Sequence, residues 1–567
     1  RADAAIAVAR LPSIDGCSDI AALQRRTADP EDPLTATEVA ALRDELAQAR
    51  ALHHAGQHER AHELVQAMLP RARATAHAPI VLETKRLLGE IQHERGDYEL
   101  AVATLSDAYP EAIANGMDDL ALAIAIELVF VSGEALAQRD AGERWAREAQ
   151  VWLDRTGQTE SLVAADLHNN LGAMALRYGE LERALAEHQH TLDLRMRLLP
   201  PDDLFIARSL ANLALAEQTM GRFAQATADH RRALAIAEQA LGSEHPNVAE
   251  LRVNLAVALD DSGDHRGALV ELARAAENQE RTLGPWHPRY ANTLESIAIA
   301  HQSMGERSQA SAFLERAVGI RMRALGSDHV EVATGLVNLG VLDDDAGDHA
   351  RAVQRYGEAI AILQRTVGED HPFVVMAMHN QGLALAKLGR IEDAGEVLLT
   401  AIDIGERVYG SQHPEVAAAI DDYGSHLERV GRLDEAAAHH LRALAIYEAL
   451  DPDSEELVIT LGNLGRLDLR RGNVDAADEH YRRALALGER RWGPDHPELG
   501  HVLVGLARIA IARGHREDAI APARRALKVR ADAKVDPDEI AEAEQLLAEA
   551  SSASPGRASR RVHPADR

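Results

Sequence analysis

The chain has 567 residues, 46% of them hydrophobic but only 3% aromatic, and a formal net charge of −29. That charge argues against duplex nucleic acid or an anionic membrane as the main partner, and no run of 18 apolar residues offers a bilayer span. The single cysteine, Cys17, excludes an internal disulfide framework and suits a reducing, cytoplasmic setting.

Residues 1–34 show no helical period and read as an irregular segment, the remnant of a linker from an upstream domain. Three divergent helical hairpins are expected over 35–160. They turn at Gly56 (Thr37 to Leu69), at Gly96 (Ile80 to Ala114) and around Asp140-Ala141-Gly142 (Asp118 to Asp154). From 161 to 530 the chain keeps a ruler. Glycine recurs at Gly179, Gly221, Gly263, Gly305, Gly347, Gly389, Gly431, Gly472 and Gly514, in steps of 42 with one step of 41. His-Pro runs in phase at 245–246, 287–288, 371–372, 413–414 and 496–497, as does Asn-Leu-Gly/Ala at 170, 212, 254, 338 and 463. A fixed period of this length means units that bury their apolar faces only against neighbours.

One unit, 242–283, shows how each is built. Gly242 follows a helix end, and Pro246 takes the first position of the next helix, where its missing N–H costs nothing. Helix A then presents Val248, Leu251, Leu255 and Leu259 on one stripe, Gly263-Asp264 breaks it, and helix B follows with Ala268, Leu272, Ala275 and Ala276. Nine such hairpins are expected. Asp451 to Glu456 replaces the usual linker and predicts a stacking irregularity there, and Pro522 predicts a kink in the last helix B. A capping helix is expected over 531–550 and a disordered tail over 551–567.

The Leu255-Ala256 pair, the turn Gly263, Ala268 early in helix B and the Leu-Gly-x-x-His-Pro linker resemble the tetratricopeptide repeat, in its 42-residue kinesin-light-chain-like variety. That resemblance implies an all-α fold, a right-handed superhelical α-solenoid of stacked antiparallel helix hairpins. It further implies a protein–protein interaction module whose A helices line a concave groove for a peptide or partner protein. The Asn before Leu-Gly/Ala would meet the peptide backbone there, at Asn170, Asn212, Asn254, Asn338, Asn380 and Asn463. Asn supplies both a donor and an acceptor; the alternative is that it bridges adjacent helices.

Three residues beyond each Asn, on the same face, the early repeats carry Ala173, Leu215, Val257, Ile299, Val341 and Leu383; the late ones carry Ser425, Arg466 and Arg508. Seven beyond stand Lys387, Arg429 and Arg470, against Asp261 and Asp345 earlier. The face is thus expected to turn from apolar to basic and to favour an acidic partner, although a cation in the last turn also suits the helix dipole. As exposed charges, the arginines are expected to contribute little to folding.

No phosphate loop, kinase catalytic loop, nucleophile elbow or zincin motif occurs, so no catalytic residue, cofactor or metal site is assigned. Most of the 27 histidines read as loop and helix-end residues, and Asp343-Asp344-Asp345 as a solvated acidic run. The run Arg10 to Asp19 is similar to the segment before the repeats in bacterial serine/threonine kinases of the myxobacterial type. On that alternative, the chain is the regulatory, substrate-recruiting C-terminal region of such a kinase.

Overall fold

The computed structural model describes residues 30–54, 56–533 and 537–552. The expectations for 1–29 and 553–567 lie outside them. Two compact units divide the chain, 1–313 and 314–567, and among the described residues all regular structure is helical.

The first unit opens with α1 (Pro33–His54), α2 (His58–Ala74), α3 (Ala78–Glu94), α4 (Tyr98–Ala114), α5 (Asp118–Leu128, continued as a π-helical segment Val129–Ala135) and α6 (Arg139–Thr156). Its regular hairpins are α7 (Leu162–Arg177) with α8 (Leu181–Leu198), α9 (Leu204–Thr219) with α10 (Phe223–Leu241), and α11 (Pro246–Asp261) with α12 (His265–Thr282). Then comes α13 (Pro288–Ser303), and α14 (Arg307–Leu325) contains the division. The second unit continues with α15 (Val330–Asp345), α16 (His349–Thr366), α17 (Pro372–Lys387), α18 (Ile391–Tyr409), α19 (Pro414–Arg429) and α20 (Leu433–Leu450). It ends with α21 (Glu455–Arg471), α22 (Val474–Trp492), α23 (Leu499–Ala512), α24 (Arg516–Ala533) and α25 (Pro537–Ser551).

Each turn glycine of the ruler has a positive φ, from 71° at Gly179 to 86° at Gly263, a conformation L side chains resist. The third early hairpin departs from expectation. Its turn falls at 136–138, where Ala137 takes φ 52°. Gly142 lies inside α6, so close to Gly133 that a Cβ would come within 2.6 Å of the Gly133 Cα. Its glycine serves packing, not turning.

Within the regular hairpins a small residue on helix A faces a large one 16 residues later on helix B. A Cβ on Gly172 would meet His188 at 2.6 Å, on Gly340 Tyr356 at 2.6 Å, on Gly382 Leu398 at 2.7 Å and on Gly465 Tyr481 at 2.8 Å. With alanines such as Ala184, Ala226, Ala436 and Ala477 fully buried, the helices approach closely enough to dispense with aromatic bulk.

Five linker histidines, His245, His287, His329, His371 and His413, are helix N-caps, and His496 makes the same bond in the turn before α23. The Nδ1 of His245, His287, His329, His371, His413 and His496 accepts the backbone N–H two residues on, at 3.1–3.3 Å. Beside them a cation in the last turn of helix B reaches the acid in the linker 37 residues earlier. Arg365 reaches Asp328 (2.6 Å), Arg407 Asp370 (2.8 Å) and Arg490 Asp453 (2.9 Å). At the shortened linker α21 begins without His or Pro and opens on Glu455 and Glu456, anions that suit a helix N-terminus. Pro522 does not end α24, which stays helical through it.

The Asp343–Asp345 run is not a solvated strip. Asp343 is buried and pairs with Arg355 (2.6 Å), Asp344 receives His349 (2.7 Å) and Lys387 (2.6 Å), and Asp345 alone is exposed. A carboxylate near the turn is drawn into bonds with helix B and the next repeat.

Candidate functional site

The A helices meet their own B helices at the Gly/Ala of Leu-Gly/Ala, two residues beyond the Asn position. In the first unit the residues three beyond that position, Leu215, Val257 and Ile299, are 51%, 38% and 50% exposed, one on each of α9, α11 and α13. They recur at 42 residues, and polar rungs beside them tie the helices together: Gln218 to Asp261 (2.5 Å) and Ser303 to Asp260 (3.3 Å). Three exposed apolar side chains thus occupy the same register on successive A helices.

The six asparagines divide by surroundings. The Asn170 amide donates to the Ile126 carbonyl (3.1 Å), and Asn212 donates to Oδ1 of Asn169 (2.8 Å). Asn463 donates to Asp421 (2.8 Å), a carboxylate that also takes Nδ1 of the buried His440 (2.6 Å). These three bridge to the preceding hairpin. Asn338 is exposed and engaged. Asn254 is exposed and Asn380 half-buried, and neither has a hydrogen-bond partner among the described residues.

The basic candidates are mostly rungs as well. Lys387 donates to Asp344 (2.6 Å); burial opposes that carboxyl's ionisation, but the bonds from Lys387 and His349 hold it below its ordinary range. Arg466 and Arg470 converge from α21 on Glu428 of α19, at 2.6 and 3.0 Å, and Arg470 also donates to the Glu428 carbonyl. The Glu428 side chain is only 1% exposed, so these cations are counterions of a buried anion, which differs from the expectation of charges indifferent to folding. Arg508 pairs with Glu542 of α25, the helix that packs on α23 and α24. Arg429 is exposed and has no ionic partner among the described residues. Arg466 and Arg470 share one carboxylate and stay 46% and 48% exposed.

Glu428 and Asp421 were not anticipated; their signal was complementarity at a spacing near 42, Glu428 with Arg470 and Asp421 with Asn463. Also missed were Phe373, Met376 and Ile459, 37–39% exposed on the A helices of the second unit. Among the described residues no group of three or more His, Cys, Asp or Glu could hold a metal ion. No helix among them is long and apolar enough to cross a membrane.

Two family models, both described as tetratricopeptide repeat, match the chain, one over 205–280, 373–449, 417–490 and 456–532, the other over 291–331 and 332–373. No curated protein matches. Among solved structures, a putative kinesin light chain of Podosopora anserina with nearly identical TPR-like repeats is 26% identical. It covers 37% of this chain and 98% of its own, with a TM-score of 0.33. BtubC (BKLC) from P. vanneervenii is 22% identical over 41% of this chain and 92% of that one, TM-score 0.37. A Rap protein complexed with Competence and Sporulation Factor is 15% identical over 65% and 98%, TM-score 0.42.

Proposed function

This chain belongs to the tetratricopeptide repeat proteins, and from that premise we propose that it is an interaction module holding a partner polypeptide on the Asn-bearing faces of its A helices. The observation that carries the reading is the exposed row Leu215, Val257 and Ile299 beside the unengaged amide of Asn254. An extended segment laid across α9, α11 and α13 would seat apolar side chains on the row and exchange backbone hydrogen bonds with Asn254, while Asn170 and Asn212 keep the hairpins in register. In the second unit, Arg429, Arg466 and Arg470 would take acidic side chains, by charge-assisted bonds on the donors Glu428 does not use.

The test is selection of binding peptides from a random display library on the full chain, followed by rebinding to L215D/V257D/I299D. These side chains are 38–51% exposed, so helicity and melting should hardly change. Affinity for most selected peptides should fall by at least about tenfold, a change of about 1.4 kcal/mol. Peptides that bind the folded variant as tightly as the parent would overturn the assignment of this face.

A further inference from the structure

The regular hairpins can be compared at two positions near the turn end, four residues before the turn glycine and eight after it, which pair in two hairpins of the second unit. In the second unit they hold Asp343 with Arg355 (2.6 Å), Leu385 with Val397, Leu427 with His439, and Asp468 with His480 (3.0 Å). The last hairpin has Ala510 and Pro522 there. Ala510 is smaller than its counterparts, and an open recess of about 380 Å³, lined in part by Ala510 and Pro522, lies between α22, α23 and α24. Its walls are Leu485, Leu503, Leu506 and Ile509. The recess is open to solvent along its charged side, and its volume falls at the lower end of the range for small-ligand sites.

The rim is cationic. Arg482, Arg513 and Arg525 line it against Asp478 and Asp518. Over 478–530 the chain has eleven Lys or Arg against seven Asp or Glu, in a protein whose net charge is −29. Arg513 is held by Asp475 (2.6 Å) and Asp478 (2.8 Å), and Arg525 by Glu489 (2.5 Å) and the Pro494 carbonyl. Arg482 is different: its Nε donates to Asp478 (2.8 Å), its side chain is 70% exposed, and its terminal nitrogens make no hydrogen bond among the described residues. The site therefore offers an apolar recess with an open guanidinium fork at its edge.

We propose that this recess binds a small amphipathic acid, its aromatic or branched apolar body in the space beside Ala510 and Pro522 and its carboxylate on the terminal nitrogens of Arg482. The recess lies apart from the Asn-bearing faces, so this proposal stands or falls separately from the polypeptide reading.

Titration of the full chain with indole-3-acetate and with indole-3-acetamide, followed by calorimetry or saturation-transfer NMR, tests it. The acid should bind one site and more tightly than the amide. A510L/P522V, which copies the Leu385/Val397 pair, should weaken both ligands at least tenfold by filling the recess. R482Q should weaken the acid three- to tenfold and leave the amide unchanged. If A510L/P522V does not fold, A510V narrows the same space and should show the same direction of loss. No binding of either ligand below 5 mM, equal binding by the folded filled variant, or indifference of the acid to R482Q would overturn the proposal.

Discussion

Replacing Arg466 and Arg470 with alanine strips both guanidiniums from Glu428, whose side chain is 1% exposed. Removing one side of a buried ion pair costs about 3–5 kcal/mol, because the remaining charge is left without compensation. Here the cations are 46% and 48% exposed, so water can enter the space they vacate, and a loss of about 2–3 kcal/mol is expected. Repeats couple chiefly to their neighbours, so the loss should concentrate in α19 to α22. Hydrogen exchange read by mass spectrometry should show protection there falling roughly 30- to 150-fold, with α15 and α16 little changed. Adding Glu428→Gln to the double variant removes the orphaned charge and should recover at least half of the loss. A double variant as protected as the parent, or one that Glu428→Gln does not rescue, would refute the reasoning that these arginines are counterions first.

His413→Ala removes a cap on α19 and a ring stacked 4.4 Å from Tyr409; it should cost about 1 kcal/mol in denaturant melts, with Ser or Asp at 413 recovering most of it. Equal stability of the alanine and serine variants would deny the cap. His188, buried against Gly172, has its pKa pushed down to about 4 by burial. The unfolded imidazole titrates near 6.5, so below that pH the unfolded chain binds the extra proton and stability falls from pH 6.5 toward 4. His188→Leu should flatten the melting temperature of the first unit's hairpins between pH 7 and 4.5, and an unchanged slope would contradict this. Burial first, and nearby Asp229 second, raise Glu217 to about 7. Its protonated form is the one folding favours, so its contribution is full below the ordinary carboxyl range and is lost as pH rises through 7. Glu217→Gln should therefore stabilise at pH 8 and do almost nothing at pH 4, below the unfolded carboxyl's range; a gain of equal size at both would show a packing effect instead.

How far the sequence could be read depended on whether one residue or a pair carried the information. The turn glycines were legible because a positive φ is a property of a single residue, and Pro246, Pro288, Pro372 and Pro414 marked helix starts for the same reason. Gly142 misled because a glycine can equally serve close packing, here against Gly133. Sequence alone marks the linker histidines as helix-end residues; His directly before an N1 proline is the signal for their capping role. Helical geometry places Arg466, Arg470 and Lys387 on one face and so suggests a ligand-facing role. What they touch is decided by the neighbouring hairpin, through Glu428 and Asp344, and one helix considered alone does not show it. Leu215, Val257 and Ile299 are exposed, as expected of residues that the packing of helix A on helix B does not need.

The most direct test of the polypeptide-binding face is photocrosslinking from two exposed valines on neighbouring helices. Val257 lies on α11 among the apolar row, and Val270 lies on α12, 38% and 52% exposed. With a benzophenone side chain at 257 or at 270 and a selected peptide at saturation, adducts should form from 257 and be absent from 270. Adducts from 270 and none from 257, with both variants folded, would move the binding face to the B helices.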